Sequence, residues 1–300
     1  MTGARHQVVL VGVDGSAESM VAAGWAADEA VRRHLGLQLV HAYVVSAIGV
    51  PAYGMPPDIS GAFRTEAEDV LSSAAAAIRT SHPALDVATD LVNSDPRPAL
   101  VQASENVTLT VLGTKGGGRI PEVAMGSVAL YVAAHGRSPV AVVSKTAAGP
   151  ATGPVLLGVD GSATSEAAVE FAFDEAAVRG ADLEAVLVWD DLAIRGFARG
   201  EPLIGRLEDE EEHAVLSEQL AGWRDKYPDV TVRQVVQRGR AADALIRHGN
   251  LHPSDDRPQL IVVGSRGRGG LTGLFLGSTS QTLICHSPWP VVVVRPGLTR

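Results

Sequence analysis

Gly113, Gly116, Gly126 and Ser127 are spaced as Gly-x-x-Gly, nine residues, Gly-Ser, and Gly264, Gly267, Gly277 and Ser278 repeat that spacing. Glycine lets backbone approach an anion closely and reach positive φ, so that successive N–H groups converge on one phosphate. The first loop also holds Thr114, Lys115, Gly117, Gly118 and Arg119, and the second Ser265, Arg266, Gly267, Arg268, Gly269 and Gly270. Their cations supply local positive charge. Ser127 and Val128, like Ser278, Thr279 and Ser280, begin apolar helical stretches. A helix start offers free N–H groups and the positive dipole end to an anion. Flexible turns ending in a serine N-cap would explain the serines, but not two matched loops of glycine and base. Asp14 and Asp160, in VGVDGS and LGVDGS, are placed to cap a helix or to accept hydrogen bonds from a nucleoside.

These loops must be positioned by a duplicated scaffold. Val11 to Ser16 recurs as Leu157 to Ser162, and WAADEA from Trp25 recurs as FAFDEA from Phe171, both at an offset of 146. From Gly113 onward the offset is 151, so five extra residues are expected near HPSDDRP, 252–258, as a lengthened surface loop. TAAGPATGP, 146–154, has the composition of a linker. Two domains follow, 1–147 and 154–300. Short β-branched runs alternate with helical patterns in each, which predicts an α/β fold of two tandem, open, mostly parallel five-stranded sheets flanked by helices. Strands are expected at about 7–13, 37–43, 86–92, 107–113 and 139–144, then 154–159, 183–189, 230–236, 259–264 and 290–294. A helix over 62–80 puts Phe63, Ala67, Val70, Leu71, Ala74 and Ile78 on one face, and its counterpart does so with Leu216, Leu220, Trp223 and Tyr227. Asp14, Asp160, Gly113 and Gly264 then end strands, where open parallel sheets bind ligands.

Composition narrows the partners. A formal net charge of −9 leaves no large basic surface for nucleic acid or an anionic membrane. No apolar run approaches the ~20 residues of a membrane span, and the start MTGARHQ lacks a signal peptide's apolar stretch, so a cytoplasmic location is expected. The single cysteine, Cys285, beside Leu283 and Ile284, reads as an inert buried thiol. Glu208 to Glu212 read as a solvated helix face. Among the nine histidines, His41 reads as a core residue and the others as scattered without ligand spacing, so no metal site is expected in the protein itself. Walker, dinucleotide, nucleophile-elbow and zinc-protease motifs are missing, and no catalytic base stands out.

The VGVDGS start, the Gly-x-x-Gly-nine-Gly-Ser element and the closing PVAVV and PVVVV strands resemble the universal stress protein superfamily, over nearly the whole chain and twice. The ArgGlyArgGlyGly-type second loop is similar to that of actinobacterial tandem members. The resemblance implies a Rossmann-like fold of the adenine nucleotide alpha-hydrolase type that binds ATP, with Mg2+ accompanying the nucleotide. By resemblance the nucleoside falls to Asp14 and Asp160, the adenine edge to backbone at Ala42 and Val188, and the ribose and phosphates to the glycine loops, with Gly12 and Gly158 lining the first-strand edge. Asp191 is placed to accept a ribose hydroxyl in the second copy, where the first has Val45. The function implied is nucleotide-dependent regulation with little or no hydrolysis. A slow ATPase or transferase and a partner-binding scaffold stand as alternatives, and a homodimer is compatible with the apolar last strands as well as pairing within one chain.

Overall fold

Runs of Val, Leu and Ile build the strands, and within each half of the chain successive strands are joined through a helix, as parallel pairing requires. The computed structural model describes residues 8–44, 57–114, 126–147, 151–162, 165–189, 204–267 and 276–297. Two compact units divide the chain, Met1–Ala148 and Gly149–Arg300. In the first, the order is β1 Val8–Gly12, α1 Ala17–Arg32, β2 Gly36–Tyr43, α2 Pro57–Ser81, β3 Val87–Asn93, α3 Pro96–Ala103, β4 Leu109–Gly113, α4 Ser127–His135 and β5 Val140–Val143. In the second it is β6 Val155–Val159, α5 Glu166–Arg179, β7 Leu183–Trp189, α6 Ile204–Lys226, β8 Val232–Arg238, α7 Ala241–Gly249, β9 Leu260–Gly264, α8 Ser278–His286 and β10 Val291–Val294.

Strand neighbours in the first unit run β3-β2-β1-β4-β5, and in the second β8-β7-β6-β9-β10, with parallel registers throughout the paired strands. The chain winds one way from β1 to β3 and then crosses back to β4, so the order reverses between β1 and β4, and likewise between β6 and β9. Those are the crevices where the carboxyl ends of strands leave room for a ligand. The innermost strands are fully apolar: Val9, Leu10 and Val11 are wholly buried, as are Val155, Leu156 and Leu157. Helix α1 lays Ala22, Ala23, Ala26, Ala27 and Ala30 on the sheet, and such small residues let the helix lie close to it.

The predicted strands all form, each within two residues of its expected bounds. Two side-chain expectations need correction. Phe63 is exposed, while Ala67, Leu71, Ala74 and Ile78 are buried. A 25-residue helix such as α2 is ~38 Å long, whereas the eight residues of β2 span ~26 Å, so part of a correctly spaced face runs past the sheet. Cys285 is half-buried, its Sγ bonded to Gln281 O at 2.6 Å; Leu283 and Ile284 point inward, and the next residue has turned ~100° away. The lengthened loop is where the sequence placed it: α3 connects to β4 through 104–108, and α7 to β9 through 250–259.

Candidate functional site

At the end of β1 the chain turns through Asp14, Gly15 and Ser16 into α1. Gly15 has φ +79°, and Gly161 in the second unit has φ +76°, a left-handed conformation that explains the glycine after each aspartate. Asp14 is not the helix cap that its position suggested. Ser16 is, accepting from Ser19 N at 3.1 Å. The Asp14 carboxylate sits one step earlier, its Oδ1 accepting from Ser16 N at 3.0 Å and Ser16 Oγ at 2.6 Å. Asp160 does the same with Ser162 N at 3.0 Å and Ser162 Oγ at 2.7 Å. Ser165 Oγ joins it there at 2.5 Å. In the first unit the matching hydroxyl, Ser19 Oγ, instead donates to Ser16 O at 2.9 Å. Each aspartate thus fixes its own turn through one oxygen.

Two backbone bonds close the glycine loops in the same way. Gly126 N donates to Thr114 O at 2.8 Å, and Gly277 N donates to Ser265 O at 2.8 Å. Thr114 N and Ser265 N in turn donate to Val143 O and Val294 O at 3.2 and 2.8 Å. The end of β4 or β9 is thereby pinned beside the start of α4 or α8, whose N-caps Gly126 and Gly277 offer no side-chain cap. N–H groups in the first turn of such a helix are the ones with no intrahelical partner. Ser280 Oγ adds a bond to Gly264 O at 2.7 Å in the second unit, where the first has Ala129.

Among the described loop residues, close approach and not the positive φ that the sequence suggested accounts for Gly113, Gly264, Gly267 and Gly277. None of Gly113, Gly126, Gly264, Gly267 and Gly277 is left-handed. A Cβ on Gly113 would stand 3.0 Å from the backbone carbon and oxygen of Glu18 and 3.1 Å from Ser19 N, so β4 ends directly against the first turn of α1. On Gly267 it would stand 2.8 Å from Asp160 Oδ2, which places the second glycine loop beside the aspartate of the opposite element. Gly12 and Gly158 serve packing: their missing side chains leave space filled by Leu112 and Leu100 in one unit and by Leu245 and Val263 in the other.

The described site residues therefore converge. In the first unit Asp14, Gly113, Thr114, Gly126, Ser127 and Val128 meet where the strand order reverses, with Ala42 at the end of β2 one strand away. Val13 N bonds to Val40 O at 2.9 Å, and His41 Nδ1 donates to Val13 O at 2.6 Å. His41 thus ties β2 to the residue before Asp14, a job that its reading as a core histidine missed. In the second unit Asp160, Gly264, Ser265, Arg266, Gly267, Gly277, Ser278, Thr279 and Ser280 meet, with Val188 at the end of β7; Arg266 is exposed. Lys115, Gly116, Gly117, Gly118, Arg119, Asp191, Arg268, Gly269 and Gly270 lie outside the described residues. Sequence reasoning also passed over Glu184, His248 and His252, whose ligand atoms lie within 4.8 Å of one another. The four-residue spacing of the two histidines was the available signal; the glutamate, on another element, gave none. No helix among the described residues is long and apolar enough to cross a membrane.

A profile of the Universal stress protein family matches residues 6–144 and again 152–295. A universal stress protein of Mycobacterium tuberculosis is 38% identical over 299 residues, covering 97% of this chain and 98% of its own length. One of Mycolicibacterium smegmatis is 37% identical over 297 residues, covering 96% of this chain and 97% of its own. The crystal structure of a universal stress protein from Archaeoglobus fulgidus superposes with a TM-score of 0.67 at 20% identity, covering 98% of this chain and 97% of that one, a likeness of fold.

Proposed function

We propose that this chain, which belongs to the universal stress protein family, binds ATP together with Mg2+ at both sheet reversals and holds it as a regulatory ligand with little or no hydrolysis. The observation that carries this reading is the twofold construction of the crevice. Each copy has an anchored aspartate at one wall, backbone closure of a glycine loop at the other, and a helix start without a side-chain cap between them.

The residues fit the chemistry of the ligand. Bound ATP would bring a polyanionic tail, ribose hydroxyls and an adenine edge. Helix starts at Ser127 and Ser278 provide N–H donors for the tail, and Arg266 adds a charge-assisted donor. Asp14 and Asp160 accept from hydroxyls, and the strand-end backbone at Ala42 and Val188 serves the adenine edge. Titration of the intact chain with ATP and Mg2+ is expected to give close to two ATP per chain and protection against thermal unfolding. Absence of both heat and protection refutes the reading. Heating the purified protein and resolving the released nucleotide by anion exchange separates retained ATP from the ADP that a slow ATPase would leave.

Unequal sites are expected, with the second tighter. Arg266 and Arg268 offer bidentate donors where the first loop has Lys115 and Arg119, and Glu122 adds a like charge only in the first loop. The second site is also the better braced: Ser165 Oγ holds Asp160, and Ser280 Oγ holds Gly264 O. A site held in its binding geometry loses less on ordering its ligand. Differences of about 1 kcal/mol each make a tenfold or greater separation in Kd. Two-site analysis of the titration checks this, and equal affinities would refute it.

A further inference from the structure

Glu184 is the second residue of β7, at the opposite end of the strand from Val188. His248 lies in the last turn of α7, and His252 in the long connection that follows. Their side chains are only 6%, 12% and 13% exposed. His248 Nε2 stands 2.7 Å from Glu184 Oε2, and His252 Nε2 stands 3.1 Å from the same oxygen. The two rings meet edge-on at 83° with centroids 5.7 Å apart, so both Nε2 atoms aim at one point without the rings stacking. Arg233 reaches the other oxygen, Oε1, at 3.5 Å and leaves Oε2 to the imidazoles.

We propose that Glu184, His248 and His252 form a binding site for one divalent transition-metal ion, zinc by ligand type, with water in the fourth position. Two imidazoles and one carboxylate are an established donor set for zinc with an open position. Tetrahedral bonds of about 2.0–2.1 Å set ligand atoms roughly 3.3 Å apart. The two Nε2–Oε2 separations of 2.7 and 3.1 Å need open by well under ~1 Å to admit the ion. Polar groups for an outer shell stand beside both rings. His248 Nδ1 lies 3.0 Å from the side-chain amide of Gln237, and His252 Nδ1 lies 3.8 Å from the Asp256 carboxylate. Such partners orient the ring and fix its tautomer.

Both Nε2 atoms face the Glu184 carboxylate, so a proton carried there is donated to its Oε2. An ion held by the two Nε2 atoms would leave each ring proton on Nδ1, where His248 would donate to Gln237 once the amide turned its oxygen inward and His252 to Asp256 once the 3.8 Å gap closed. The site is confined to the second unit. Residue 38, which pairs in β2 as Glu184 does in β7, is Gln, and the connection 104–108 is too short to supply the counterparts of His252 and Asp256.

The untagged full chain, stripped with EDTA and dialysed, is titrated with ZnCl2 against a chromophoric chelator. One Zn2+ per chain is expected, with affinity lowered about a hundredfold or more by His252→Gln and by Glu184→Gln. His252→Gln alters a surface connection, and its far-UV circular dichroism verifies folding. Co2+ should give the strong visible bands of a tetrahedral site, and zinc should raise Tm in the parent chain but not in His252→Gln. Zinc affinity equal in the parent and in the double variant His248→Gln/His252→Gln would overturn the proposal by assigning the metal to other histidines. Absence of any binding would do the same. Neither outcome depends on whether the chain binds ATP.

Discussion

Replacing Gly267 by valine is expected to remove ATP from the second site and leave the first. The Cβ would arrive 2.8 Å from Asp160 Oδ2. That carboxylate cannot step aside freely, because its Oδ1 holds Ser162 N at 3.0 Å, Ser162 Oγ at 2.7 Å and Ser165 Oγ at 2.5 Å. Either the aspartate turn breaks or the glycine loop is pushed outward, and both outcomes spoil the crevice. A hundredfold loss in affinity, about 2.7 kcal/mol, is the expected scale, with stoichiometry falling to one ATP per chain. Gly267 is a surface residue, so the fold should survive, and Gly267→Ala should show a smaller loss because it adds the Cβ contact without the two further methyl groups of valine. Two sites of unchanged affinity in the valine variant would show that this loop is not part of the nucleotide site.

Arg179→Met is expected to destabilise the second unit by about 3–5 kcal/mol, the usual cost of removing one member of a buried ion pair. Glu175 is wholly buried, and Arg179 Nε bonds to its Oε2 at 2.8 Å with the arginine side chain 4% exposed. The same pair stands in the first unit as Glu29 with Arg33, at 2.5 Å. Losing the guanidinium withdraws a counterion from a carboxylate that water does not reach. Three of the four tryptophans, Trp189, Trp223 and Trp289, belong to the second unit, so urea unfolding followed by tryptophan fluorescence reports mainly on it. A buried pair exchanged for apolar groups of similar volume is often neutral, so Glu175→Leu combined with Arg179→Met should recover much of the loss. A cost below about 1 kcal/mol for Arg179→Met alone would mean that the pair behaves as an exposed one.

The duplication, the alternation of strand and helix, and the loops that flank the crevice are legible in the order of residues alone. These are properties of local order. Alternating and three-to-four-residue periodicities are written in neighbouring residues, and VGVDGS recurs as LGVDGS wherever the chain later goes. Whatever depends on distant partners becomes visible only in the folded chain. Asp28 and Glu29 are adjacent acids in one motif, yet Glu29 is buried on an arginine and Asp28 is exposed, because Arg33 and the sheet lie on only one side of α1. Gly113 and Gly267 looked alike as conformationally free glycines, but one is required by the backbone of α1 and the other by a carboxylate 107 residues away. Phe63 has helical spacing, and only the length of the sheet beneath determines that it stays in solvent. Glu184 and His248 are 64 residues apart and meet because β7 and α7 pack together in the same unit. Periodicity tells which face of an element is apolar. What that face touches is set by closure of the chain over long sequence separations, and no local pattern encodes it.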